Sequence, residues 1–183
     1  YDMRLNEKTG ICLKGEPSPV IRTPRDSSSW DWHFNNLPWM SIGYSVTITP
    51  MQLCAFYNAI ANDGKMMKPY FIENYQENGQ IVKNFGPQEM SGSICSKETA
   101  REARKALIHV VEVGTGKFMN NSKYQIAGKT GTSRIAFGGK IGYEKNGFRR
   151  YQASFAGFYP ADNPKYSAIV VLYSGETRGN FYG

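Results

Sequence analysis

The chain has 183 residues, with 22 Lys and Arg against 15 Asp and Glu, a net charge of +7. Hydrophobic residues make up 40% and charged residues 20%, which supplies enough apolar side chain for a packed core and excludes global disorder. No apolar run approaches the roughly 20 residues that a membrane-spanning helix needs. The opening Tyr1-Asp2-Met3-Arg4-Leu5 has neither the basic nor the apolar region of a signal peptide and no initiator Met, so it reads as a piece of something longer. The basic balance permits an anionic partner, although a charge of this size most often serves plain solubility. Cys12, Cys54 and Cys95 are odd in number and far apart, which speaks against a disulfide framework or a zinc site. Cys54, between Leu53 and Ala55, reads as a small buried hydrophobe.

Residues 1–48 are expected to be mainly loop. Pro17, Pro19, Pro24 and Pro38 punctuate them, and the aromatic run Trp30-Asp31-Trp32-His33-Phe34 has to pack onto something to avoid an exposed apolar patch. Residues 49–116 are expected to be helical with a small hairpin. Thr49 can cap a helix with Pro50 at its first position and Gln52 completing a capping box. Leu53, Phe56, Tyr57 and Ile60 form its apolar stripe, and Asn62-Asp63-Gly64 ends it. The segments 70–75 and 80–85 read as a hairpin around Asn78-Gly79. Ser96 can cap a second helix over 97–113, with Ala100, Ala103, Leu107, Val110 and Val111 inward and Arg101, Glu102, Arg104, Lys105 and Glu112 in water. Gly114-Thr115-Gly116 stops it, and His109 is read as partly buried beside the stripe.

Residues 124–173 are expected to carry three strands, over 124–133, 151–159 and 166–173. The last is almost wholly apolar, which predicts burial on both faces. The fold class is therefore α+β, helices followed by a three-stranded antiparallel meander.

Within the first of these strands lies Gly128-Lys129-Thr130-Gly131-Thr132. A lysine in a half-buried strand has to meet a carboxylate, a hydroxyl or a phosphate, or face a cleft. Thr130 and Thr132, two apart, share a face, and Gly131 between them admits close approach to the backbone. One cation, two hydroxyls and bare N–H groups make an edge suited to a carboxylate and a developing oxyanion. The tripeptide alone is weak evidence, so its context has to support it.

Lys-Thr-Gly is also the third signature of the penicillin-binding proteins and serine β-lactamases, and the resemblance extends along nearly the whole chain. The blocks 110–117 and 124–132 resemble the helix–turn–strand of class B penicillin-binding proteins. Segments 40–53 and 57–64 are similar to the preceding helix, 8–16 to an early segment, and 154–164 to the strand and turn after the signature. These blocks resemble those of the division-type transpeptidases. The family's Ser-x-x-Lys nucleophile and Ser-x-Asn signatures are both missing from this sequence. The resemblance thus implies a C-terminal portion of one transpeptidase domain, incomplete at both ends.

By resemblance, Lys129, Thr130, Gly131 and Thr132 are the catalytic and substrate-binding residues. Lys129 supplies positive potential, Thr130 and Thr132 hold a substrate carboxylate, and the Thr132 backbone N–H is an oxyanion-hole donor. The implied activity is crosslinking of peptidoglycan stem peptides through an acyl-serine, in septal wall synthesis, with β-lactams as trapping mimics. No metal and no cofactor is implied. The implied location is periplasmic, on the extracytoplasmic face of the membrane, through an anchor outside this sequence, with other division proteins as partners. A β-lactamase, a D,D-carboxypeptidase or a β-lactam sensor are alternatives within the fold.

A rival of another class comes from residues 134–151, where Arg134, Lys140, Lys145, Arg149 and Arg150 alternate with Phe137, Tyr143, Phe148 and Tyr151. Such interleaving suits single-stranded nucleic acid, though the resemblance implies no nucleic-acid partner.

Overall fold

The computed structural model describes residues 3–24, 32–120, 123–138 and 142–178. Strand β1 (Val20–Ile21), helix α1 (Asn36–Ser41) and strand β2 (Val46–Thr47) come first. Helix α2 (Pro50–Ala61), strands β3 (Lys65–Met67), β4 (Asn74–Glu77), β5 (Gln80–Asn84) and β6 (Glu89–Ser93), and helix α3 (Lys97–Glu112) follow. Strands β7 (Ala127–Ile135), β8 (Arg150–Tyr159) and β9 (Tyr166–Tyr173) close the order. The pairs β1-β2, β3-β6 and β4-β5 are separate two-stranded ribbons, and β7-β8-β9 is one antiparallel sheet. The α+β class and the meander are as expected.

Local chemistry accounts for both long helices. Thr49 Oγ1 accepts from the Gln52 N–H at 3.1 Å, and Gln52 Oε1 accepts from the Thr49 N–H at 2.7 Å. The expected capping box therefore forms. The same Gln52 amide also donates to the carbonyls of Leu5 and Glu7, tying the N-terminal segment to α2. At the other end, Gly64 has φ +90°, and a Cβ there would lie 2.4 Å from the Cys95 carbonyl oxygen, so glycine is required on two counts. Ser96 caps α3 by accepting from the Thr99 N–H at 3.1 Å.

The core lies between the helices and one face of the sheet. It joins Ala59 and Ile60 of α2, Met66 of β3, Ile94, Ala127 of β7, Phe158 of β8 and Ala161. The Asn58 amide on α2 donates to Ser167 Oγ on β9 at 3.1 Å, marking the covered face.

Several expectations need correction. Within residues 1–48, expected to be mainly loop, lie the short helix α1 and the β1-β2 ribbon. Phe34 is 97% exposed, so that part of the aromatic run packs on nothing among the described residues; Trp30 and Asp31 lie outside them. α2 is buried around most of its girth, deepest at Gln52, Ala55, Ala59 and Ile60 rather than along a single stripe, since α3, β3, β8 and β9 all pack on it. Arg104 turns inward, donating to the Ala61 carbonyl at 3.2 Å and to Asp63 at 2.9 Å. His109 is exposed, as is His33. Cys54 is half-buried, and burial pushes its thiol pKa up.

The third strand differs most. β9 is covered on one face only: Ser167, Ile169 and Val171 are partly buried, while Val170 and Leu172 are 55% and 60% exposed. The expectation of two buried faces read hydrophobicity as burial, but among the described residues nothing packs on the second face. Contiguous exposed apolar surface of this kind promotes association. The isolated 183-residue chain is therefore expected to self-associate, with a light-scattering mass that rises with concentration. A monodisperse monomer at high concentration would show that this face tolerates water.

Candidate substrate edge of the sheet

Strand β7 begins three residues later than the sequence suggested, because Gln125 is committed elsewhere. Its carbonyl accepts from the Ala161 N–H, and its amide donates to Glu112 at the end of α3. From Ala127 onward the pairing with β8 is continuous, with Lys129 opposite Ala156, Thr130 opposite Phe155, Gly131 opposite Ser154 and Thr132 opposite Ala153. β8 occupies one side of β7, and among the described residues the other side is an unpaired edge of the sheet.

The direction of the groups on that edge follows from one hydrogen bond. The Arg134 N–H donates to the Tyr44 hydroxyl at 3.2 Å, so it points away from β8. Backbone groups of an antiparallel strand alternate in direction from residue to residue. The N–H and C=O groups of Thr132 and Thr130 therefore also point outward, along the open edge.

Side-chain alternation places Lys129 and Gly131 on the helix-facing side, in register with Ala156 and Ser154, and Thr130 and Thr132 on the opposite side. The two hydroxyls share a face, as expected. Lys129 reaches over the edge, its Nζ donating to the Thr130 carbonyl at 2.8 Å. The expected carboxylate, hydroxyl or phosphate partner for this lysine is not found among the described residues, and Lys129 is exposed. At Gly131 a Cβ would lie 2.8 Å from Ser154 Oγ, so the glycine also leaves room for that hydroxyl. The four residues of the motif thus converge on the edge as one cation, outward N–H donors and two hydroxyls.

Two contributors escaped the sequence reading. Tyr44 closes the far end of the edge, held edge-on between Trp39, with ring centroids 5.3 Å apart, and Tyr143, at 6.2 Å. Thr115, in the turn after α3, brings its Oγ1 within 2.6 Å of Thr130 Oγ1. Neither carries a local signal, since each acts on the strand from a distant segment. The early block around residues 8–16 has a structural explanation instead. The Glu16 carboxylate accepts from the Thr9 N–H and hydroxyl at 2.7 and 2.8 Å and from the Gly10 N–H at 3.2 Å. Burial pushes the Glu16 pKa up, but these hydrogen bonds outweigh it and hold the carboxyl below its ordinary value.

The basic–aromatic segment is largely engaged within the chain. Arg149 pairs with Glu144 at 2.8 Å, Arg150 pairs with Glu176 at 2.7 Å, and the Arg150 guanidinium lies 4.5 Å from the centre of the Phe137 ring. Lys140 lies outside the described residues. No group of three or more metal-ligating side chains occurs among the described residues, and no described helix is long and apolar enough to cross a membrane.

Comparison with known proteins decides the family. The model of the penicillin binding protein transpeptidase domain matches residues 2–182. The chain belongs to the penicillin-binding protein transpeptidase family. It is 34% identical over 176 residues to penicillin-binding protein PbpB of Mycolicibacterium smegmatis, covering 92% of this chain and 26% of that protein. It is 31% identical over 178 residues to stage V sporulation protein D of Bacillus subtilis, covering 93% of this chain and 25% of that protein. Among solved structures, penicillin binding protein 3 of Mycobacterium tuberculosis, complexed with aztreonam, is similar with a TM-score of 0.79 at 30% identity, over 97% of this chain and 39% of that one. The transpeptidase fold implied by the resemblance is thus present, and the chain spans about a quarter of the length of these curated relatives.

Proposed function

We propose that this chain is the substrate-receiving portion of a single peptidoglycan D,D-transpeptidase domain belonging to a longer protein. The observation that carries the reading is the open edge of β7, with Lys129, Thr130, Gly131 and Thr132 on it and the Thr132 N–H pointing outward. In this reading Lys129 draws the C-terminal carboxylate of a stem peptide to the edge, and the Thr130 and Thr132 hydroxyls hydrogen-bond it. The Thr132 N–H receives the oxyanion that forms when a serine attacks the peptide carbonyl. The serine and its base belong to segments other than this one, because the sequence has no Ser-x-x-Lys. β-Lactams occupy the same edge as stem-peptide mimics. The family match, and relatives named peptidoglycan D,D-transpeptidases, support a role in wall synthesis, which this reading assigns to the septal wall. The substrate places the site on the extracytoplasmic side of the membrane, where other division proteins are the expected partners.

Fluorescent penicillin separates the parts of this reading. The longer protein is expected to give a labelled band on a denaturing gel, and the 183-residue chain alone none. A stable labelled band from the isolated chain would place the nucleophile within it and overturn the assignment.

A further inference from the structure

The turn that ends α3 does more than stop a helix. Gly114 and Gly116 are folded back onto the last helical turn: the Gly114 N–H donates to the His109 carbonyl at 3.2 Å and the Gly116 N–H to the Val110 carbonyl at 3.0 Å. A Cβ on Gly114 would lie 2.8 Å from the Val110 oxygen, and one on Gly116 would meet both that oxygen and the Val111 side chain at 3.3 Å. The backbone of Thr115 is therefore held between Gly114, where a side chain would clash with the helix backbone, and Gly116, where one would fit only tightly. The Gln125–Glu112 hydrogen bond, at 3.0 Å, ties the same helix end to the approach of β7. From this fixed position Thr115 Oγ1 meets Thr130 Oγ1 at 2.6 Å.

We infer that Thr115 is a positioning residue for the Thr130 hydroxyl, a role that rests on the transpeptidase reading of the edge. A threonine hydroxyl has one proton and two lone pairs. When Thr115 donates to Thr130, the Thr130 proton is left to point at an arriving carboxylate. Without Thr115, Thr130 is free to rotate or to hydrogen-bond water, and the carboxylate loses a pre-aimed donor. Thr115 itself touches no substrate in this arrangement; it acts through Thr130.

The test uses the full-length protein and the kinetics of acylation by benzylpenicillin. Thr115→Val keeps the shape and removes the hydroxyl. It is expected to lower the second-order acylation rate about 10-fold, the scale of one lost hydrogen bond, through weaker pre-acylation binding rather than slower bond formation. Thr115→Ser is expected to restore most of the rate. The decisive arm is a double-mutant cycle: in a Thr130→Val background, Thr115→Val is expected to have almost no further effect. A purely structural role for Thr115 gives losses that multiply, and that outcome overturns the inference, as does an unchanged rate in Thr115→Val alone. A wild-type protein that penicillin does not label overturns the transpeptidase reading itself, a result distinct from labelled wild type with indifferent Thr115 variants.

Discussion

Lys129→Ala in the full-length protein is expected to slow acylation by penicillin on the order of 100-fold, the scale associated with removing a preorganised group aimed at developing or bound charge. The melting temperature is expected to stay within about 2 °C, because exposed surface substitutions are usually worth no more than about 0.5 kcal/mol. Lys129 is exposed, and among the described residues its side-chain amine bonds only to the adjacent Thr130 carbonyl. Its removal therefore opens no core cavity and leaves no buried partner unsatisfied. Stopped-flow acylation and a thermal melt decide the matter together. A large fall in melting temperature with unchanged acylation would make Lys129 a structural residue and remove the cation from the proposed site.

Gly157→Ala is expected to produce the largest loss of stability. Gly157 on β8 stands opposite Gly128 on β7. A Cβ at 157 would lie 2.3 Å from the Ala127 carbonyl oxygen and 2.8 Å from Gly128 Cα. Both are backbone atoms of a paired strand, which cannot swing aside as a flexible side chain can. From the other direction, a Cβ at Gly128 would lie 2.3 Å from Phe155 Cζ, so the aromatic ring already fills the space above the glycine pair. Overpacking a site of this kind costs about 3 kcal/mol, a fall in melting temperature of roughly 10 °C for a chain of this size. Gly86→Ala, where no atom lies within 4 Å of the added methyl, is the control and is expected to change little. Equal melting temperatures for the two variants would show that β7 and β8 separate easily, and with them the edge that carries Lys129.

What the sequence disclosed and what it withheld divide by range. The start of α2 was legible because Thr49, Pro50 and Gln52 act on one another within a single turn. The start of α3 was legible through Ser96 for the same reason. The hairpin of β4 and β5 was marked by Asn78 and Gly79, both at positive φ, and β9 was bounded correctly by its nearly all-apolar run. The motif on β7 could be found in the sequence because its chemistry is packed into consecutive residues. Failures came where a distant segment decides the outcome. Arg104 reads as a solvated charge until Asp63 and the Ala61 carbonyl are brought beside it. The short β3-β6 ribbon joins segments more than twenty residues apart, and neither announces the other. Burial of β9 was overestimated because an apolar side chain records what a strand can be covered by, not what covers it in this chain. Thr115 and Tyr44 escaped for the same reason as Arg104, since each becomes meaningful only when the strand it touches is in place.

The hydroxyl of Tyr44 has a bearing on length. By engaging the Arg134 N–H it removes one donor from the row along the edge of β7. An extended chain laid against that edge finds outward N–H groups at Gly128, Thr130 and Thr132, and then meets an aromatic side chain. At about 3.4 Å per residue, this leaves roughly 14 Å of open ladder between Gly128 and Thr132. Such a stretch accommodates the last few residues of a peptide but not a long run through the middle of one. If the edge receives a peptide as proposed above, Tyr44 is its end stop, and the edge would measure its ligands by length before any charge or hydroxyl is read.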